Sequence, residues 1–375
     1  MMPHPPVWLV LLAFLCTLGP LVFFHEFGHY FVARLLKIPA ETFSVGFGRE
    51  LVGWTDRQGT RWKIAWLPLG GYVKFVGDMN AASEPAELEK IPPHLRDRAF
   101  QLRPVWQRFL VVLAGPMANF LLAIIIFAAF FSLVGTPQTN VVGAIKPGSA
   151  AAEAGIRPGD RILSIAGVST STFGEIATAV ALRPGETVRV EVERGAMISD
   201  VDVHLGIQYV QDPTGAKFRA GLLGVFSTTQ LRGPVYVVNA VPMAVEYTAG
   251  MTESIWDGLV QLVRGRVSPK QLGGPIKIAR IAGQGASLGA LPFVELLALF
   301  SINLGFINLL PVPLMDGGHL FFYAVEAVRR RPLSARALDW AFRGGLALIL
   351  ALVVFTTIND LGSLGLWDRL QRLIG

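Results

Sequence analysis

Four stretches of this chain stay apolar for about the length that a helix needs to cross a lipid bilayer, roughly 20 residues. They lie at 7–31, 109–134, 291–315 and 338–358. The composition fits a membrane protein: 16% of residues are charged, against about 25% in an average soluble domain. The net charge of +6 comes from basic residues scattered between the apolar runs. They form no aromatic-interleaved patch, so no nucleic-acid partner is expected. An excess of positive charge on cytoplasmic loops accounts for them. The single cysteine, Cys16, has no internal partner for a disulfide.

Charge also orients the spans. No Lys or Arg precedes the first, so it lacks the positive start of a cleaved signal peptide and reads as a retained span. Twelve Lys and Arg fall between 34 and 108, and "RRRPLSAR" (329–336) joins the third and fourth spans. Both loops are expected to be cytoplasmic, which leaves the termini and the long middle segment outside.

That middle segment has the pattern of a small α+β module. "NVVGAIKPG", "DRILSIAG", "ETVRVEVER" and "DVDVHLGI" read as strands, bounded by Gly, Pro and Asp. "STFGEIATAVAL" has helical spacing at Phe173, Ile176, Ala177, Val180 and Ala181, with Ser171 or Thr172 as its N-cap. "GSAAAEAGIRPGDRILSIAG" resembles PDZ domains of the bacterial protease type, which bind extended peptide by strand addition. Farther on, Val241, Val245, Thr248, Thr252, Ile255, Leu259 and Leu262 mark an amphipathic helix. It is expected on the membrane surface, against a span, or on the module. Residues 40–75 suggest membrane-associated β-hairpins, and 78–105 a polar loop.

The chemistry lies in "HEFGH" at 25–29, inside the first apolar run. Ionisable groups in such a run are costly and point to function. On a helix, His25 and His29 share a face. Two imidazoles and a carboxylate suit zinc, with a fourth position for water. Glu26 can then act as general base. Asp316 is the one acid in "NLGFINLLPVPLMDGGHL" (303–320) and, because the first and third spans are both expected to run from outside to inside, falls at a depth similar to the histidines. His319 is the rival third ligand. Peptide hydrolysis in a membrane needs exposed substrate backbone. Pro311 and Pro313 would break the third span. The freed backbone, the amides of Asn303 and Asn308, and the apolar "PLGGYVKF" (68–75) could then pair with an unwound substrate strand.

Together these residues resemble the site-2 protease family of intramembrane zinc metalloproteases, most of all its bacterial regulators of sigma-E. "HEFGHY", "GFGRE", "GGYVKF", "AGPMANF", "NLLPVPLMDG" and "GRVSPKQLGGPIKIA" carry the likeness, with Met315 where the family has Leu. The resemblance implies Zn2+ held by His25, His29 and Asp316, with Glu26 as base. It implies substrate binding by Asn303, Asn308, Pro311, Pro313, Gly70, Gly71 and Tyr72. It also implies single-span substrates such as anti-sigma factors already trimmed by a first protease, and remnant signal peptides. A PDZ domain would act as a size filter, although the best-known members have two and only one is placed here.

The expected fold is a polytopic α-helical membrane protein in the bacterial cytoplasmic (inner) membrane. It has about four transmembrane helices, membrane-associated β-hairpins and an inserted α+β PDZ domain. Its parts are a first helix with HExxH (1–33), a cytoplasmic β-rich region (34–106) and a second helix (107–135). The PDZ domain (136–210) and a linker with the amphipathic helix (211–290) follow. A third segment with Asp316 (291–320) and a fourth helix with its tail (321–375) complete the chain. Two other readings are a non-catalytic PDZ scaffold and a metal transporter. Glu26 speaks against both: a structural site needs no base, and a transporter needs polar groups across the bilayer.

Overall fold

A computed structural model describes residues 5–77, 93–137, 139–211, 217–227, 233–269 and 272–363. Most of the loop expected at 78–105, two residues of the expected "GRVSPKQLGGPIKIA" match and the C-terminal tail lie outside them. The chain begins with α1 (Val7–Leu35), β1 (Ala40–Thr55), β2 (Arg61–Phe75) and α2 (Val105–Leu133). Next come β3 (Val142–Ile145), α3 (Ala150–Glu153), β4 (Arg161–Ile165), β5 (Val168–Ser169) and α4 (Phe173–Ala181). Strands β6 (Thr187–Arg194), β7 (Met197–His204), β8 (Gly206–Gln211), β9 (Lys217–Leu222) and β10 (Val225–Ser227) follow. The rest is helical: α5 (Val237–Val263), α6 (Pro275–Ser287), α7 (Ala290–Leu309), α8 (Asp316–Arg329) and α9 (Ala335–Ser363). Helices α1, α2, α7 and α9 are long and apolar enough to cross a membrane.

The chain divides into two units, one of residues 1–123 and 282–354, the other of 124–281 and 355–375. In the first, β1 and β2 both bend. Phe43 has two partners, Val73 and Trp62, and Val45 has Gly71 and Ile64. Residues 71–75 of β2 therefore flank β1 on one side, and the remainder of β2 flanks it on the other. The sheet lies against α1 through aromatic contacts. Phe23 meets Phe43 edge-on at 5.7 Å, and Tyr30 meets Trp62 edge-on at 5.0 Å.

Helix α7 closes at Leu309, short of the expected end at 315. Leu310 is extended, as the residue before a proline prefers. Pro311 and Pro313 can donate no backbone hydrogen bond. Leu314 is left-handed (φ 76°), and Asp316 then opens a new helix, α8.

In the second unit the expected strands and helix form. The sheet order is β5-β4-β6-β7. Ile162, Ile165, Ile176, Val190 and Val203 fill the core beneath α4. Thr172 caps α4 in a reciprocal capping box with Glu175. The module runs past its expected end at 210: Leu223 lies in the same core and β10 pairs with β3.

Helix α5 differs from its expected stripe. It buries Ala240, Ala244, Thr248, Asp257 and Gln261, while Val241 and Val245 are exposed. The polar pair turns inward because α4 ends in a buried Arg183. Asp257 Oδ1 accepts from Arg183 at 2.6 Å and from Gln261 Nε2 at 2.9 Å.

Candidate active site

The site is built where α1, α2, α8 and the bent sheet meet in the first unit. One turn of α1 separates His25 from His29, and both are buried. Gly28 lies between them because α2 crosses closely there. A Cβ at 28 would sit 2.3 Å from the Ala114 carbonyl oxygen. Across the crossing, Gly115 faces His29, whose Nε2 would lie 2.2 Å from a Cβ at 115. His29 Nδ1 is 2.9 Å from the Val111 carbonyl oxygen, and His25 Nδ1 is 3.1 Å from the Asn119 amide.

Asp316 enters from the start of α8. A partly buried ion pair at 2.7 Å between Arg108 of α2 and Glu326 positions that helix, and the Arg108 guanidinium also lies over the Tyr323 ring.

Three donor atoms converge. His25 Nε2 and His29 Nε2 are 3.3 Å apart, and Asp316 Oδ2 lies 3.1 Å from the first and 3.5 Å from the second. A tetrahedral metal with bonds of about 2.0–2.1 Å places its ligands about 3.3 Å from one another. The electrostatics point the same way. A carbonyl can only accept, so His29 Nδ1 carries a proton, and Nε2 is the nitrogen that can turn a lone pair toward the centre. Asp316 Oδ2 is likewise buried without a hydrogen-bond donor. Lone pairs converging in a buried site repel unless a cation sits among them. The donor set therefore fits zinc, and His25, His29 and Asp316 form one group able to hold a metal. His319 lies outside that group, with its ring 5.5 Å from Phe342.

Glu26 is buried beside the histidines and lines a cavity of about 330 Å³. Gly70, Gly71, Tyr72 and Asn308 line it too, as does His319. Residues 71–75 pair with β1 on one side. On the other side the Val73 N–H faces the Glu26 carboxylate. Gly71 lies so close to α1 that a Cβ would sit 2.7 Å from Val22 and 3.0 Å from Glu26. Asn303 and Pro311 are exposed, Pro313 abuts Gly345, and none of the three lines the cavity.

The turn between β1 and β2 is tied to the same helix. Asp56 accepts from Tyr30 at 3.0 Å, from Trp62 at 3.1 Å, and from the Gln58 and Thr60 amides at 2.9 Å each. Burial works to raise the Asp56 pKa, but these donors outweigh it and hold the carboxyl below its usual range.

Val111, Gly115, Asn119 and Asp56 were not singled out by sequence for roles at the site. "AGPMANF" was a signal for two of them, but only the pairing of α1 with α2 shows what they touch.

Peptidase family M50 matches residues 13–352. The chain belongs to that family, the site-2 proteases. A Mesorhizobium japonicum protein named as a zinc metalloprotease is 44% identical, covering 94% of this chain and 98% of that protein. The metalloprotease MmpA of Caulobacter vibrioides is 37% identical, covering 94% of this chain and 95% of its own. Among solved structures, the PDZ domain of an SdrC-like protein of Listeria monocytogenes is 22% identical. That match covers 24% of this chain and 90% of that one, with a TM-score of 0.19. This M50 member is a zinc-dependent metalloendopeptidase.

Proposed function

We propose that this M50 protease is an integral membrane enzyme that cuts single-span membrane proteins, with zinc held by His25, His29 and Asp316. One observation carries the reading. The three donor atoms and Glu26 face one cavity, and the side of residues 71–73 turned away from β1 borders it. A zinc ion there supplies Lewis acidity that polarises a carbonyl and brings the pKa of water toward about 7.

The chain's own groups do the rest. Residues 71–75 add the unwound substrate as a further strand, so backbone hydrogen bonds hold the scissile bond in place. The Asn308 amide, beside the broken end of α7, offers that backbone one more partner. Pro311 and Pro313 act less directly, by keeping α7 from continuing as a helix and leaving its end open, while Asn303 lies within α7, exposed and away from the cavity. Glu26 takes the proton from the attacking water and delivers it to the departing amine nitrogen.

By the charge pattern of its loops, the enzyme sits in the bacterial cytoplasmic membrane, with its termini and the PDZ-like module outside. Its substrates are membrane segments such as anti-sigma factors after a first cut, and remnant signal peptides. The module restricts entry to substrates with trimmed external parts.

Co-expression with a tagged single-span substrate tests this. Glu26→Gln should abolish cleavage and keep zinc, while Asp316→Ala should lose zinc. Cleavage by Glu26→Gln at the wild-type rate would sink the mechanism. Unchanged zinc in Asp316→Ala would move the third ligand to His319.

A further inference from the structure

Each ligand imidazole has a second nitrogen, and what meets it sets which nitrogen is left bare. For His29 the partner is unambiguous: the Val111 carbonyl can only accept, so Nδ1 carries the proton of the neutral ring and Nε2 is the nitrogen left for a metal. His25 needs the same outcome, yet no backbone carbonyl meets its Nδ1. Asn119 does, at 3.1 Å.

Val111, Gly115 and Asn119 are spaced by four along α2, so they form one row against α1. A helical carbonyl points about one turn toward its C-terminus. The Val111 oxygen and the Asn119 amide are therefore about one turn apart, like the two histidines they meet. Asn119 is completely buried, so no bulk water competes for the contact. Its backbone is held as well: Ser301 of α7 donates to its carbonyl at 2.7 Å.

As placed, the amide nitrogen faces His25, and Asn119 Oδ1 is buried with no partner. The two ends of an amide are told apart only by their hydrogen bonds. A metal on His25 Nε2 leaves the proton on Nδ1, which then requires an acceptor. Turned by half a rotation, Oδ1 is that acceptor.

We propose that Asn119 is a positioning residue of the metal centre, accepting the Nδ1–H of His25 through its side-chain oxygen and so keeping the Nε2 lone pair on the metal. The proposal rests on His25 being a ligand.

The test is zinc affinity of the full-length protein in detergent, measured by chelator competition after size exclusion shows a folded monodisperse species. Asn119→Leu keeps most of the volume without the hydrogen bond and should bind zinc 10–100-fold more weakly. Asn119→Asp offers only acceptors and should stay within about threefold of wild type. Asn119→Leu at wild-type affinity, or Asn119→Asp as weak as Asn119→Leu, would overturn the proposal. His25→Ala separates the two levels. If it binds zinc like wild type, the ligand assignment falls and this inference with it. If it loses zinc while Asn119→Leu does not, only this inference falls. Should Asn119→Leu fail to fold, zinc-loaded wild type with 15N-labelled histidine decides. Both ligand rings must show a protonated Nδ1, and a bare Nδ1 on His25 refutes the proposal.

Discussion

Gly115→Ala adds one methyl group at the closest point of the α1–α2 crossing. That carbon would start 2.2 Å from His29 Nε2, where real Cβ contacts essentially never fall below 3.0 Å. Something must therefore move by about 0.8 Å or more. The nearest atom belongs to the His29 ring, already fixed at its other nitrogen by Val111. Metal–ligand distances tolerate only about 0.2 Å. Either the ring turns and gives up the Val111 bond, or the helices part and carry His25 away from Asp316. Overpacking of this kind costs about 1–3 kcal/mol. A displacement near 1 Å at a reacting centre costs about 100-fold in rate. Gly115→Ala should thus lose about 100-fold in cleavage and at least about 10-fold in zinc affinity. The control is Gly344→Ala, also in a helix, where a new Cβ meets nothing within 4 Å. Alanine favours a helix over glycine by about 1 kcal/mol, so helix propensity works against the predicted loss. Assays of both variants against a tagged substrate, with zinc titrations, decide the matter. Gly115→Ala within twofold of wild type in both would refute the close-packing account.

Two further outcomes concern the second unit. Arg183 and Asp257 are both buried, at 3% and 9% exposure of their side chains. Asp257→Ala leaves a buried guanidinium unpaired and should cost about 3–5 kcal/mol, read as faster amide exchange in α4 and α5, whereas the double variant Arg183→Met/Asp257→Leu should recover much of it. Asp160 is held below the usual carboxylate range, chiefly by hydrogen bonds from Arg194 at 2.7 Å, which outweigh its burial. Its contribution to stability is therefore complete above the unfolded carboxyl pKa of about 3.9 and fades as pH falls through the lower folded value. Exchange in β4 and β6 should rise below about pH 4 and lose that dependence in Arg194→Met.

What sequence conveyed about the site depended on how far apart its parts lie. His25 and His29 are one helical turn apart, so their shared face follows from spacing alone. Asp316 stood out as the one acid in an apolar motif, and Pro311 announced the end of α7, though not its position at Leu309. Asn119 and Gly115 matter only through the register of α2 against α1, which no local pattern encodes. Helix α5 marks the opposite limit. Its valines form a regular apolar stripe, yet Asp257 and Gln261 are buried, because Arg183 arrives from an element 74 residues away. A hydrophobic stripe reveals an amphipathic helix but not which neighbour brings a charge to it.

The bent sheet is fastened to α1 at two places. Asp56 holds Tyr30, the residue after His29, and Gly71 presses on Val22 and Glu26. The edge strand and Glu26, the proposed base, therefore keep a fixed separation. A polypeptide laid on that edge advances about 3.4 Å per residue and turns alternate peptide groups toward it. Cleavage would then be governed by counting along the backbone, not by recognising particular side chains. Inserting one residue into a substrate ahead of its cut should leave the bond facing the wrong way. Inserting two should restore the presentation and shift the product by two residues.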